Sequence, residues 1–153
     1  MAASTPRPRT PTRRVDPRSG GDYAPHVEQL HRGRHFHVDV DAGARLVRAT
    51  RTALPFASVD EMQRAHKELL RAVAPLREHA LLLDVRLGPA RSDPEYEQGL
   101  ASLRRQITER FERVAILVKS AVGGLHARRL AREDGVAMRI FQDEAAALEY
   151  LAG

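Results

Sequence analysis

Three histidines and an aspartate lie close together near the start of the chain, within residues 31–39. His31, His35 and His37 have the spacing H-x3-H-x-H, and Asp39 follows two residues later. Imidazole nitrogens and carboxylate oxygens are zinc ligands, so the segment could serve a metal-dependent enzyme. Catalytic zinc usually takes three protein ligands and a water, and no downstream His or Glu motif completes such a set. The three histidines are therefore candidates only, and we expect no metal.

The same segment has the alternating pattern of a half-buried strand. Its apolar positions would face a core, whereas its polar positions would form the solvent face of an outer strand. The apolar positions are Phe36, Val38 and Val40, and the polar ones are His35, His37 and Asp39. The strand interpretation is favoured over the metal site, which stays open as an alternative.

A second group of polar residues follows two apolar segments, 80–87 and 113–120, which we predict to be buried parallel strands. The carboxyl ends of such strands form the ligand crevice of an open sheet. A partner- or ligand-binding site is therefore expected from Asp84, Arg86, Ser92, Lys119, Ser120 and Arg128. Simpler roles remain open: an ion pair of Asp84 with Lys119, a helix cap or a phosphorylation site at Ser92, and a glycine turn after Ser120. No Ser-His-Asp order, HExxH or paired-carboxylate motif occurs, so catalytic residues are not expected.

Composition excludes several classes of protein. The 153 residues include no cysteine, so disulfides, thiolate metal sites and cysteine nucleophiles are excluded. No apolar run approaches the roughly 20 residues of a membrane span, and no signal-peptide pattern opens the chain. We expect one cytoplasmic domain.

The basic charge of the chain is concentrated at its start. Residues 1–25 carry +3 of the net charge of +5 and five of the nine prolines. Such a segment has too few large apolar residues to form a core, so a disordered Arg/Pro-rich tail is predicted. The remaining basic residues alternate with acids, and specific nucleic-acid binding is not expected.

The rest of the chain predicts an α/β domain over 34–152. Two strands joined by a turn form a hairpin, and helices then alternate with strands in the order β-β-α-β-α-β-α-β-α. Helix boundaries are marked by four capping residues: Ser58, Asp93, Gly135 and Asp143. Gly123 and Gly124 are expected to open the third helix. This order predicts a single, mostly parallel sheet of about five strands with helices packed against it.

Three segments carry a resemblance to a known family: "LLLDVR" (81–86), "FERVAILVKS" (111–120) and "MRIFQDEAAALEYLAG" (138–153). From about His35 to Leu151 the chain resembles the STAS superfamily, especially its SpoIIAA-like (STAS/Sec14-like) bacterial branch. The resemblance implies a sheet backed by helices, no catalysis and no cofactor. It also implies a regulatory role in binding a protein partner, or a lipid or other small apolar ligand by the Sec14-like comparison.

One departure from the family affects the expected function. STAS antagonists carry an Asp-Ser-Ser-Gly-type phosphoacceptor after the central strand, but "DVRLGPARSDP" has no serine before Ser92. Phosphorylation-controlled regulation of sigma factors is therefore not carried over. We expect a non-enzymatic STAS-like domain that binds a protein partner, with a small-ligand carrier as the alternative and a His-based metal enzyme as the third hypothesis. A homodimer is left open.

Overall fold

The computed structural model describes residues 27–91 and 93–153. The predicted tail over 1–25 and Ser92 therefore lie outside the described residues. The strands are β1 (Val27–Arg32), β2 (Phe36–Asp41), β3 (Leu46–Arg51), β4 (Ala80–Asp84), β5 (Val114–Leu117) and β6 (Arg139–Phe141). The helices are α1 (Val59–Val73), α2 (Pro94–Arg110), α3 (Ala121–Asp134) and α4 (Glu144–Ala152), and a short 3-10 turn, Ala74–Leu76, follows α1.

The six strands form one sheet in the order in which they occur along the chain. The pairs β1–β2 and β2–β3 are antiparallel, whereas β3–β4, β4–β5 and β5–β6 are parallel. Parallel crossovers are almost always right-handed, so three successive crossovers in one direction place α1, α2 and α3 on the same face of the sheet. The α/β class and the mostly parallel sheet are as predicted.

Each face of the sheet has its own apolar cluster. The larger one lies under α1, α2 and α3 and includes Met62, Leu69, Leu83, Leu103 and Ile116. The smaller one lies under α4, which turns back across the other face after β6, and includes Leu82, Ala115, Leu117, Ala147 and Leu151. The central strands are thus covered on both sides, which explains their continuous apolar sequence. Within the described residues no helix is long and apolar enough to span a membrane.

The predicted helix boundaries are largely confirmed. The side chains of Ser58, Asp93 and Asp143 each accept a hydrogen bond from a backbone N–H in the first turn of the following helix. Gly135 ends α3 with φ 65°, a conformation that glycine adopts without a steric penalty.

The sheet has six strands rather than about five, because β1 was not predicted. Its sequence, VEQLHR, lacks period-two alternation, and Val27 and Leu30 are exposed. Backbone pairing with β2 holds this edge strand, with an irregularity between Gln29 and His31. The ordered domain consequently begins before residue 34.

Other predicted boundaries were too long or misplaced. The observed strands β4 and β5 are shorter than the predicted ranges 80–87 and 113–120, because the chain turns as soon as sheet pairing stops. The helix α3 begins at Ala121, ahead of Gly123 and Gly124, because Ser120 caps it by accepting from the N–H of Gly123 at 3.1 Å.

A buried ion pair joins α2 to α3. Arg104 Nε and Nη2 lie 3.1 Å and 2.6 Å from Asp134 Oδ2. We expect Asp134→Ala to cost about 2–3 kcal/mol, because it leaves a buried guanidinium unpaired. Glu133→Ala is the matched control, since its pair with Arg129 is exposed and should contribute at most about 0.5 kcal/mol. Urea unfolding of both variants tests this, and equal losses would contradict it.

Candidate functional site

A cavity of about 540 Å³ lies between the sheet and helices α1, α2 and α3. It is situated where β4 and β5 end, at the carboxyl edge of the parallel strands. Its apolar walls include Phe36, Phe56, Leu83, Tyr96, Leu100, Leu103, Ile116, Val118 and Ala127. Ligand pockets of roughly 300–1,000 Å³ with mainly apolar walls are the usual binding sites for small molecules, so this is the candidate site.

Arg51 is the most unusual residue of the cavity wall. It ends β3 at a core-facing position, is 4% exposed and lines the cavity. Its Cζ lies 4.2 Å from the Phe56 ring centroid and 5.8 Å from that of Phe36, so aromatic faces stabilise the cation. Nη1 donates to the carbonyl oxygen of Thr52 at 2.7 Å. Burial lowers the pKa of Arg51, against a smaller opposing effect of Tyr96.

His66 lies on the buried face of α1 and also lines the cavity. Its ring is 5.8 Å from that of Phe56 and 5.9 Å from that of Phe36, measured between centroids. Burial, followed by the charges of Arg51 and His35, lowers its pKa to about 4. The imidazole is therefore neutral at pH 7, and its Nε2 has no hydrogen-bond partner within the described residues.

The mouth of the cavity is cationic. Glu97 is its single acidic lining residue among those described, against five cationic ones: Arg51, Arg86, Arg91, Arg104 and Lys119. Three of these pair with aspartates, namely Arg86 with Asp84, Arg91 with Asp93 and Arg104 with Asp134. Within the described residues Arg51 and Lys119 form no such pair, so the site favours negative charge in a ligand.

Asp84 binds two arginines at the edge of the site. Its carboxylate accepts from Nε and Nη2 of Arg86 at 3.0 Å and 2.8 Å, and Arg48 Nη1 lies 3.3 Å away. Burial raises the pKa of this carboxyl, but the hydrogen bonds and charge of Arg86, with the charge of Arg48, outweigh burial and leave the pKa below its ordinary value. Its ion pairs are with these arginines and not with Lys119, and it is 5% exposed. Arg86 is thus the group that a ligand could reach.

The other expected site residues are divided between two places. Lys119 and Ser120 line the cavity. Arg128 instead lines a groove between α3 and β6, where its Nη2 donates to the carbonyl oxygen of Ile140 at 3.2 Å. The structure therefore brings Arg86, Lys119 and Ser120 together, while Arg128 points to a different surface.

The three histidines near the start of the chain do not converge. His31 lies in β1, 4.0 Å from Glu68, and His37 is half-buried in β2. His35 precedes β2, so the predicted outward orientation is wrong for it: the ring is buried and stacks on Phe56 with centroids 4.5 Å apart. Its Nε2 lies 2.8 Å from Glu61 Oε1. Among the described residues, no group of three or more His, Asp or Glu side chains could hold a metal ion.

Arg51, His66 and Tyr96 were not predicted as site residues, although the sequence contains a signal for two of them. The alternation that places Val47 and Ala49 inward also places Arg51 inward. In α1, His66 follows Met62 by four residues and falls on the same apolar face. A charged or titratable residue at a position that the periodicity assigns to the core indicates a candidate site residue.

The comparisons with known proteins concern the fold. No protein-family model matches the sequence, and no curated protein matches it significantly. A crystal structure from Shewanella loihica PV-4, an uncharacterized protein from the DUF3478 family with a SpoIIAA-like fold, superposes with a TM-score of 0.52. The two chains are 16% identical, and the match covers 82% of this chain and 91% of the other. Together with the strand order and helix placement, this shows that the chain has a SpoIIAA-like α/β fold, as the sequence resemblance implied.

Proposed function

We propose that this chain is a non-enzymatic binding domain that holds a small, mainly apolar ligand between its sheet and helices α1, α2 and α3. The cavity of about 540 Å³ carries the proposal. The space is a concave cleft that is partly open to solvent, and concave, mainly apolar sites of this size are where small molecules usually bind. Filling it with apolar surface would contribute about 25 cal/mol per Å² removed from water.

The polar groups around the cavity suit binding better than catalysis. Arg86, Arg91 and Arg104 are held by aspartates, which fixes their positions. His66, with its pKa lowered to about 4, is poorly matched to proton transfer near pH 7, because a general base works best with a pKa near the operating pH. In this proposal the domain acts in the cytoplasm as a carrier or sensor.

Native mass spectrometry of the freshly purified full chain tests the proposal. A co-purified small molecule, or stoichiometric binding of the uncharged probe N-phenyl-1-naphthylamine, is the expected result. Failure of the folded chain to bind any apolar probe would overturn it. The same spectra give the oligomeric state and so show whether the chain forms a homodimer.

Filling the cavity should abolish this binding. Leu100 lies on the cavity wall in α2, so Leu100→Trp would occupy part of the ligand volume. We expect probe affinity to fall at least 10-fold, as measured by fluorescence titration. Gln98→Trp is the matched control, since Gln98 is exposed on the same helix and does not line the cavity. If both variants bind the probe like the wild type, the cavity is not its site.

A protein-binding role is the second candidate, and one observation favours it. Leu87, Val122 and Leu125 are 64%, 76% and 67% exposed. They lie on the segments 84–93 and 120–129, beside cavity residues such as Gly88 and Gly123. Val122 and Leu125 are three residues apart in α3 and so lie on one face of the helix, and neighbouring exposed apolar side chains mark interaction surfaces. In this proposal a regulatory partner contacts these segments.

The double variant Val122→Asp, Leu125→Asp tests the second candidate. Affinity capture from native lysate should retain a partner with the wild-type chain and lose it with the variant. Arg132→Asp, on the exposed surface farther along α3, is the control. A captured protein that is retained equally by all three chains would count against this surface.

A further inference from the structure

We propose that the ligand of the cavity is an organic monocarboxylic acid whose carboxylate is bound by Arg51 and whose apolar body lies against the walls under α2. The inference rests on the proposed function, because it names the chemical class of the ligand for the same cavity.

The hydrogen bonds of Arg51 within the described residues use only one of its three guanidinium nitrogens. Nη1 donates to the carbonyl oxygen of Thr52 at 2.7 Å, with Thr52 Oγ1 at 3.5 Å. Nε and Nη2 make no hydrogen bond to any described residue, and neither is an enclosed, unsatisfied atom. Arg51 lines the cavity, and in this proposal these two remaining donors bind the ligand.

Two other arginines of the chain show what these two donors bind. Arg86 uses Nε and Nη2 to hold the two carboxylate oxygens of Asp84 at 3.0 Å and 2.8 Å. Arg104 directs the same two nitrogens at a single carboxylate oxygen, Oδ2 of Asp134. The side-on edge of a guanidinium matches a planar carboxylate in a bidentate arrangement. Arg51 presents this edge without a carboxylate partner among the described residues.

Charge favours an acid over a neutral ligand. Most buried arginines are paired, because an uncompensated cation in a low-dielectric site is costly. Arg51 is stabilised by Phe56 and Phe36 instead of by a carboxylate. Binding one carboxylate would complete the pair.

The apolar surroundings favour a single negative charge. A phosphate dianion needs several donors, and the cations Arg86, Arg91 and Arg104 are already paired with aspartates, while Lys119, the other unpaired cation of the lining, is exposed to solvent. The aromatic rings of Phe36, Phe56 and Tyr96 around Arg51 are suited to an apolar body joined directly to one carboxylate. A medium-chain fatty acid or an aromatic acid has this chemistry.

Decanoate and 1-decanol separate headgroup recognition from apolar binding. Displacement of N-phenyl-1-naphthylamine from the full chain at pH 7.5 gives both affinities. We expect decanoate to bind at least 10-fold more tightly than 1-decanol. Arg51→Met should remove that preference while leaving 1-decanol within about threefold, whereas the control Arg64→Met, at an exposed position of α1 that does not line the cavity, should preserve the preference.

Each result distinguishes the inference from the proposed function. Equal affinities for acid and alcohol, or a preference that survives Arg51→Met, overturn the inference and leave the apolar site intact. If no probe binds, the proposed function itself fails. Should Arg51→Met not fold, as judged by circular dichroism, Arg51→Lys takes its place. Lysine keeps the positive charge but cannot form a bidentate hydrogen bond with a carboxylate, so the preference for decanoate should fall.

Discussion

The domain should lose about 3 kcal/mol of unfolding free energy between pH 7 and pH 4 because of His66 alone. Its pKa is lowered from 6.5 to about 4 in the folded chain, so the unfolded chain binds the extra proton throughout this interval. The folded state is therefore favoured fully above about pH 6.5 and loses this advantage as the pH falls to about 4. Each unit by which a pKa differs between the folded and unfolded chain corresponds to about 1.4 kcal/mol of unfolding free energy.

Urea unfolding of His66→Leu across pH 4 to 7.5 measures this contribution. Leucine cannot be protonated, so the stability of the variant relative to the wild type should improve by about 3 kcal/mol on going from pH 7 to pH 4. Gln63→Leu, at an exposed position of the same helix, controls for helix and apolar effects. Parallel pH curves for wild type and His66→Leu would show that His66 does not carry the effect.

Asp84→Ala should be among the most damaging single substitutions, at about 3 kcal/mol near pH 7. The substitution removes the carboxylate that holds Arg86 and Arg48. Breaking a buried pair from one side costs about 3–5 kcal/mol, and the lower value applies because both arginines can regain water. Arg86 would also lose its fixed position at the cavity edge, so probe affinity should fall with stability.

The stabilising contribution of Asp84 is lost at a lower pH than that of His66. The folded carboxyl has a pKa below its ordinary value of 3.8, so its contribution is complete above that pH and disappears as the pH falls through the lowered pKa. The gap between wild type and Asp84→Ala should therefore stay constant from pH 7 to pH 5 and shrink in stronger acid. Glu78→Ala, which removes an exposed pair with Arg45, should change stability by less than about 0.5 kcal/mol. A similar loss in both variants would contradict the assigned role of Asp84.

The elements that depend on local patterns were predictable. Helix starts at Ser58, Asp93 and Asp143 follow from a side-chain oxygen capping the next turn, which is a contact within three residues. The apolar runs around Leu82 and Ile116 indicate strands covered on both faces, and the α/β order follows from their alternation with helices. The SpoIIAA-like fold was accordingly recognised from short segments of sequence.

The elements that depend on distant partners were not predictable. The strand β1 is held by backbone pairing with β2. Because this edge strand is exposed, its sequence lacks the alternation of apolar and polar residues that predicts a strand. Ser58 caps α1 as expected, whereas the contact of the Glu61 carboxylate with His35 joins two distant segments. The position of His35 itself depends on Phe56 and Glu61, which lie more than 20 residues away.

The sequence by itself determined the α/β architecture, the starts of α1, α2 and α4 and the expectation that binding occurs where the parallel strands end, because periodicity and capping act over a few residues. Only the tertiary structure decided which polar groups meet there. It directed Asp84 toward Arg86 and Arg48, separated the three histidines, and brought Arg51 and His66 into one aromatic-lined cavity. Those outcomes depend on which residues from separate elements face each other across the sheet, and that is set by packing of the whole chain.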